Sequence, residues 1–337
     1  MDSLGGYMLE HGGRLRHAAA QYGISVEQWL DLSTGINPLP WCAPAVPRLA
    51  WARLPESDDG LLQAAQEYYN AQHVLAVAGS QAAIMQLPRL RAAARVAILE
   101  PSYAEHALRW REAGHDVQSI TISECTTAAD TADVLILVNP NNPTGTRIPR
   151  SDLLKWHAHL ASRGGWLVVD EAFADPDPSD SVASFTDRDG LIVLRSFGKF
   201  FGLAGARVGF VLATPRILRE LESQLGPWPL AGPARFVARR ALADHRWQIA
   251  MRTQLQSLAY RLRELLTRNG LTPAGGCSLF QWVPTPHAPT LHDSLAHQGI
   301  LTRLFQAPKS LRFGIPAEEQ QWHRLETALA AHQRSRV

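Results

Sequence analysis

Hydrophobic positions in the middle of the chain come in short, unbroken runs. VLAVA (74–78), RVAILE (95–100), DVLILV (133–138), WLVVD (166–170), LIVLR (191–195) and VGFVL (208–212) have strand length and β-branched enrichment. They do not alternate apolar with polar, so each predicts a strand covered on both faces. Between several of them lie amphipathic stretches of helix length, at 81–91, 104–112 and 151–163. Pro149 followed by Ser151 and Asp152 predicts the start of the third helix, and Gly164-Gly165 its end. Buried strands separated by helices predict an α/β architecture with a mainly parallel central sheet. After about residue 215 the pattern changes to a long helical stretch, 233–269, then strand-like pieces (SLFQWV, 278–283; SLRFGI, 310–315) and a helical end. That predicts a smaller α+β C-terminal domain. The expected division is an N-terminal segment, 1–43, a large domain, 44–225, and a small domain, 226–337. The Pro/Gly-rich GPWPLAGP (226–233) marks the junction, and the first 43 residues are free to join either body.

Composition narrows the class. Over 337 residues, 33 Lys+Arg against 31 Asp+Glu leave a net charge of +2, which gives no reason to expect a nucleic-acid or membrane surface. No apolar run approaches the roughly 20 residues that span a bilayer, and the amino end lacks a signal-peptide pattern. Cys42, Cys125 and Cys277 lie far apart without C-x-x-C spacing, so neither a disulfide framework nor a zinc site is expected. The 13 histidines show no metal pattern, and His157 and His159 are expected on different, solvated helix faces. A cytoplasmic enzyme acting on a small molecule is the expectation.

In open α/β sheets, ligands sit beyond the carboxyl ends of the strands, and polar signals fall there. After DVLILV comes the run Asn139 to Gly145, NPNNPTG; after WLVV comes Asp170. After LIVLR come Ser196 and Lys199, with Arg207 eight residues on; after VLAVA come Gly79, Ser80 and Gln81. Lys199 stands beside Phe200 and Phe201 and among Gly198, Gly202 and Gly205. Apolar neighbours lower a lysine's pKa and favour the neutral amine that forms Schiff bases. Asp170 reads either as a helix cap or as a carboxylate facing a pyridinium nitrogen. Asn141 and Asn142 can shape a turn beside Pro143. Gly79-Ser80-Gln81 reads as a cap or as free amides suited to phosphate.

Their joint order carries more. GSQ (79–81), Tyr103, NPNNPTG (139–145), DEAF (170–173) and SFGKFFGLAGARVGF (196–210) resemble the fold-type-I, aspartate-aminotransferase-like family of pyridoxal 5′-phosphate enzymes, over nearly the whole chain. The resemblance implies that Lys199 carries the cofactor as a Schiff base and Asp170 keeps its ring nitrogen protonated. It implies that Asn142 bonds the phenolic oxygen, Tyr103 stacks on the ring, and Gly79, Ser80, Gln81, Ser196 and Arg207 hold the phosphate. Two positions depart from the family. Phe173 stands where a Tyr is common, and Arg53-Leu54-Pro55-Glu56 where an R-Y-P-D-like element sends a Tyr to the neighbouring subunit's cofactor. Each departure removes a hydroxyl contact.

The amino end, HGGRLRHAAAQYGI (11–24) with WLDLSTGINPLPW (29–41), is similar to the opening of the threonine-phosphate decarboxylase branch of that family. It differs at Arg14, where the branch has Asn, and at Thr34-Gly35, where it has Ala-Asn. The similarity implies that His11, Gly12 and Gly35 contact the substrate, Gly35 through its backbone, together with Asn142, Arg303 and Arg312. Arg312 lies in the L-R-F-G pattern where the family places its carboxylate-binding arginine, and planar bidentate donors suit carboxylate and phosphate. The implied reaction is decarboxylation of L-threonine O-3-phosphate to (R)-1-aminopropan-2-yl phosphate for cobalamin assembly, by a homodimer. Two alternatives stand beside it. One is a histidinol-phosphate aminotransferase, whose opening lacks H-G-G. The other is a non-catalytic sensor, against which Lys199, Asp170 and Arg207 argue.

Overall fold

The computed structural model describes residues 11–334. Its strands are β1 (Leu30–Leu32), β2 (Val74–Val77), β3 (Arg95–Leu99), β4 (Asp116–Ile120), β5 (Val134–Val138), β6 (Trp166–Asp170), β7 (Leu191–Ser196), β8 (Gly209–Leu212), β9 (Gly275–Cys277), β10 (Phe280–Pro284), β11 (Ile300–Gln306) and β12 (Lys309–Gly314). Seven of them form one sheet in the order β2-β8-β7-β6-β5-β3-β4, parallel except that β8 runs against both its neighbours. The unbroken apolar runs behave as expected: Leu135, Leu137, Leu167, Val169, Leu191 and Val193 enter one core, while Val134, Ile136, Val168, Ile192 and Leu194 enter another on the opposite face. Helices cover both faces, among them Ser80–Gln86, Glu105–Glu112 and Arg150–Ala161.

The second sheet runs β1-β11-β12-β10-β9. Its first strand comes from the amino end: β1 pairs in parallel with β11, Leu30 opposite Ile300. Helix Leu15–Tyr22 packs there too, Ala18 joining Trp29, Ala296 and Leu301. The amino-terminal segment therefore joins the smaller sheet while reaching the cavity described below.

Three features differ from the sequence reading. The 233–269 stretch is two helices, Gly232–Leu242 and His245–Arg268, divided at Asp244, whose Oδ1 accepts the Trp247 N–H at 3.0 Å. Ala238, Leu242, Met251 and Leu255 belong to the large-sheet core, whereas Ala259, Leu262 and Leu266 belong to the small-sheet core. Packing changes sides partway along the 24-residue helix, not at 226–233. β4 carries no apolar run; DVQSI sits at the sheet edge, mostly exposed, and owes its extended form to pairing with β3. His157 is buried rather than solvated, with Nε2 2.9 Å from the Asp189 carbonyl, and burial lowers its pKa.

Candidate active site

A cavity of about 470 Å³ opens where β5, β6 and β7 end, and residues of both sheets and of the amino end line it. It gathers His11, Gly12, Gly79, Ser80, Gln81, Tyr103, Asn142, Asp170, Ser196, Lys199, Arg207, Arg303 and Arg312. At the Thr34-Gly35 pair the wall is Thr34. Gly35 packs against a ring edge instead, where a Cβ would fall 2.7 Å from Phe173 Cε1 and 3.1 Å from Phe280 Cδ1.

Lys199 lies on the single helical turn Phe197–Phe200 that follows β7. Phe197, Phe200 and Phe201 are fully buried and anchor the turn. The STGINP element clamps it from outside: Asn37 N donates to the Lys199 carbonyl at 2.9 Å and Asn37 Nδ2 to that of Phe200 at 2.8 Å. The amine stands 5.3 Å from the centre of the Phe173 ring. Burial, then the Arg312 guanidinium, push its pKa down to about 8, against an opposing pull from Asp170.

Asp170, the last residue of β6, is 3% exposed. Its Oδ1 accepts the Ala172 N–H at 3.0 Å, and its Oδ2 faces His106 Nε2 at 2.9 Å. A carboxylate fixed on two sides keeps its remaining lone pairs for the cavity. His106 itself is buried and stands one helical turn beyond Tyr103.

Arg207 leads into β8 with φ of 52°, a left-handed conformation a side-chain-bearing residue holds only when its surroundings fix it. Its guanidinium lies against Gly79, where φ is +73° and a Cβ would sit 2.6 Å from Arg207 Nη2. Ser80 opens the next helix beside them. The Gln81 side chain turns elsewhere: its Nε2 donates to Glu105 Oε2 at 2.8 Å, and its Oε1 accepts the Tyr103 hydroxyl at 3.0 Å. Burial, then nearby Glu105 and Asp170, push the Tyr103 phenol up to about 12.

Arg303 and Arg312 are register partners on β11 and β12. Arg312 donates from Nη1 to Asn142 Oδ1 and from Nη2 to the Ser33 carbonyl at 2.8 Å; its buried Nε meets no acceptor among the described residues. Burial and the repulsion of Arg303 lower its pKa to about 10. His11 reaches the rim, with Nε2 3.1 Å from Glu105 Oε1.

These groups match what pyridoxal 5′-phosphate needs. They offer an amine of lowered pKa, a fixed buried carboxylate, and a guanidinium seated where only glycine leaves room. His106, Glu105 and Asn37 bond residues of the cavity or of its lysine turn, and the sequence reading gave them no part in the site. The only signal for His106 was its spacing of three from Tyr103, just inside the helix that Tyr103 precedes.

The fold and this cavity define a pyridoxal-phosphate-dependent transferase of fold type I. The sequence profile of "Aminotransferase class I and II" matches residues 50–329, and the chain belongs to that family. It is 57% identical, over 322 residues, to the threonine-phosphate decarboxylase of Pseudomonas aeruginosa, covering 96% of this chain and 97% of that one. It is 43% identical to the threonine-phosphate decarboxylase of a Sinorhizobium species, covering 95% and 97%. In fold it is similar to a histidinol-phosphate aminotransferase from Sinorhizobium meliloti, solved in complex with pyridoxal 5′-phosphate. The TM-score is 0.81 at 21% identity, over 98% of this chain and 100% of that one. This chain is an enzyme dependent on the same cofactor. Among the described residues, no helix is long and apolar enough to cross a membrane.

Proposed function

We propose that the chain decarboxylates L-threonine O-3-phosphate to (R)-1-aminopropan-2-yl phosphate and carbon dioxide, the step the resemblance assigns to cobalamin assembly. The observation that carries this reading is one cavity holding Lys199, Asp170 and Arg207 together with Arg303, Arg312 and His11. Three basic groups beyond those facing the cofactor suit a substrate with both a carboxylate and a phosphate. The identity to two decarboxylases supports the same choice.

Pyridoxal 5′-phosphate, when bound, supplies an aldehyde that condenses with amines and a ring that draws electrons from the bonds at an amino acid's Cα. Lys199 holds the aldehyde carbon. Ser80, Ser196 and Arg207, with the backbone at Gly79 and Gln81, hold the phosphate. Asp170 keeps the pyridine nitrogen protonated, Asn142 holds the phenolic oxygen, and Tyr103 covers the ring. Arg312 takes the substrate carboxylate, while Arg303 and His11 take its phosphate. At pH 7 an amine of pKa about 8 is neutral in roughly a tenth of molecules, against fewer than about one in a thousand for an ordinary lysine. Lys199 Nζ, protonated once it is free, then delivers a proton to Cα in place of the carbon dioxide that leaves. Release of carbon dioxide from L-threonine O-3-phosphate without any 2-oxo acid is the expected result. Amino transfer from histidinol phosphate to 2-oxoglutarate at a higher specificity constant would replace this reading with the aminotransferase one.

The same proposal includes a homodimer in the cytoplasm. Leu49, Leu54 and Trp228 are exposed apolar side chains lining two grooves that meet at Pro55 and Glu56. Such a patch suits a second copy of the chain. Free Cys42, Cys125 and Cys277 accord with a reducing compartment.

A further inference from the structure

One buried acid stands behind the wall of the cavity, bonded to two of its lining residues, His11 and Gln81, with no role in the scheme above. Glu105 is 5% exposed and both its oxygens are engaged. Oε2 accepts from Gln81 Nε2 at 2.8 Å and from Arg109 Nε at 2.9 Å, while Oε1 faces His11 Nε2 at 3.1 Å. Burial raises the carboxyl's pKa, but the bonds from Arg109, Gln81 and His11 outweigh it and hold the group below the ordinary range. The amino-terminal strand of chain that carries His11 is pinned at its other end to the smaller sheet. Gly13 N donates to Ser33 Oγ at 2.7 Å, and Ser33 in turn donates from Oγ to Asp31 Oδ1 at 2.6 Å. Residues 11–13 thus form a strap with one attachment on each body.

A carboxylate near a phosphate site repels the ligand, so its presence there calls for a compensating use. Arg109 offsets the charge, and Arg109 with Gln81 fixes the rotamer, which leaves Oε1 aimed at the strap. The His11 side chain is 44% exposed, so without that contact its imidazole would sample several rotamers. A charge-assisted bond selects one of them. With Nε2 donating to Glu105, Nδ1 is the nitrogen left for a ligand, and in the imidazolium form it donates to a phosphate oxygen.

We propose that Glu105 is a specificity-determining positioning residue. By holding His11 it closes the strap over the phosphate end of the cavity, and so sets the preference for a phosphorylated amino acid over its unphosphorylated parent. The proposal rests on the reading in which His11 meets the substrate phosphate.

The test compares kcat/KM for L-threonine O-3-phosphate with that for L-threonine in the holoenzyme, for wild type, Glu105→Gln, His11→Ala and the double variant. Glu105→Gln is expected to lower the ratio roughly tenfold, the loss of one charge-assisted contact. The loss should fall on KM for the phosphorylated substrate rather than on kcat. The double variant should lose no more than His11→Ala alone, because Glu105 acts through His11. Glu105→Asp keeps the charge but draws it back by one methylene; it should show the same loss, and it stands in if the Gln variant does not fold. The affinity of the apoenzyme for pyridoxal 5′-phosphate, titrated by absorbance, should stay near the wild-type value. A wild-type ratio in both Glu105 variants, beside a lowered ratio in His11→Ala, overturns the positioning role alone. An unchanged ratio in His11→Ala overturns the phosphate reading beneath it. A large loss of cofactor affinity in Glu105→Gln would assign the residue to the Gln81–Tyr103 side of the cavity and likewise overturn the proposal.

Discussion

Burial and the neighbouring Arg312 guanidinium together hold the Lys199 amine at about 8, and the two contributions separate experimentally. The amine is protonated below that value and free above it. Reconstitution of apoenzyme with pyridoxal 5′-phosphate should therefore quicken as pH rises from 6 and level off above about 8. Arg312→Ala removes a repelling cation, so the midpoint of that profile should move to higher pH. A midpoint that stays in place would leave burial and Arg207 as the causes. Borohydride reduction and peptide mapping should place the cofactor on Lys199 alone, and an adduct on Lys155 or Lys309 would refute the assignment. Asp170 depends on His106 in a similar way. His106→Phe keeps the ring volume but drops the bond to Oδ2. A loss of one such bond to a charged group, about 1.5–3 kcal/mol, predicts a fall of roughly 10- to 150-fold in kcat with the cofactor still bound. Near-normal turnover would show that the Ala172 N–H suffices to hold Asp170.

The strand ends that present these residues rest on a buried ionic knot behind the site. Arg195 on β7 bonds both Glu171 and Asp175 just past β6, all three almost wholly buried, with the Tyr69 ring 4.6 Å from the guanidinium carbon. Arg195→Met would leave two carboxylates buried without their partner. It should cost about 3–5 kcal/mol in urea unfolding, and a cost below about 1 kcal/mol would show that the pair is replaceable. Glu171 belongs to the DEAF motif, so this support was partly visible in the sequence; its partner Arg195 was visible only as the polar end of an apolar run. The same contrast holds for the fold. Strands with unbroken apolar runs, β2, β3 and β5 to β8, were legible because burial on both faces leaves its mark in composition. β4 and β1 were not, because DVQSI and LDL become strands only through a neighbour's hydrogen bonds. The cofactor side of the cavity was legible because each residue follows a strand at a fixed spacing. Glu105, His106 and the strap were not, since their partners lie 94, 64 and 20 residues away in sequence.

Across the whole molecule, the proposed homodimer would cover the exposed Leu49, Leu54 and Trp228. Light scattering should give twice the mass of one chain. Leu49→Asp with Leu54→Asp should shift that to a monomer, whereas a wild-type protein that is already monomeric would leave the patch for another partner. The identity to two threonine-phosphate decarboxylases, rather than any one side chain, points to the bond from Cα to the carboxylate as the one broken, and not the one from Cα to hydrogen. Running the reaction on L-threonine O-3-phosphate in deuterium oxide distinguishes the two. The expected result is carbon dioxide and aminopropanol phosphate in equal amounts, with one deuterium on the carbon that lost the carboxylate and the original hydrogen kept in the remaining substrate. Deuterium appearing at Cα of recovered substrate, with no carbon dioxide released, would contradict it.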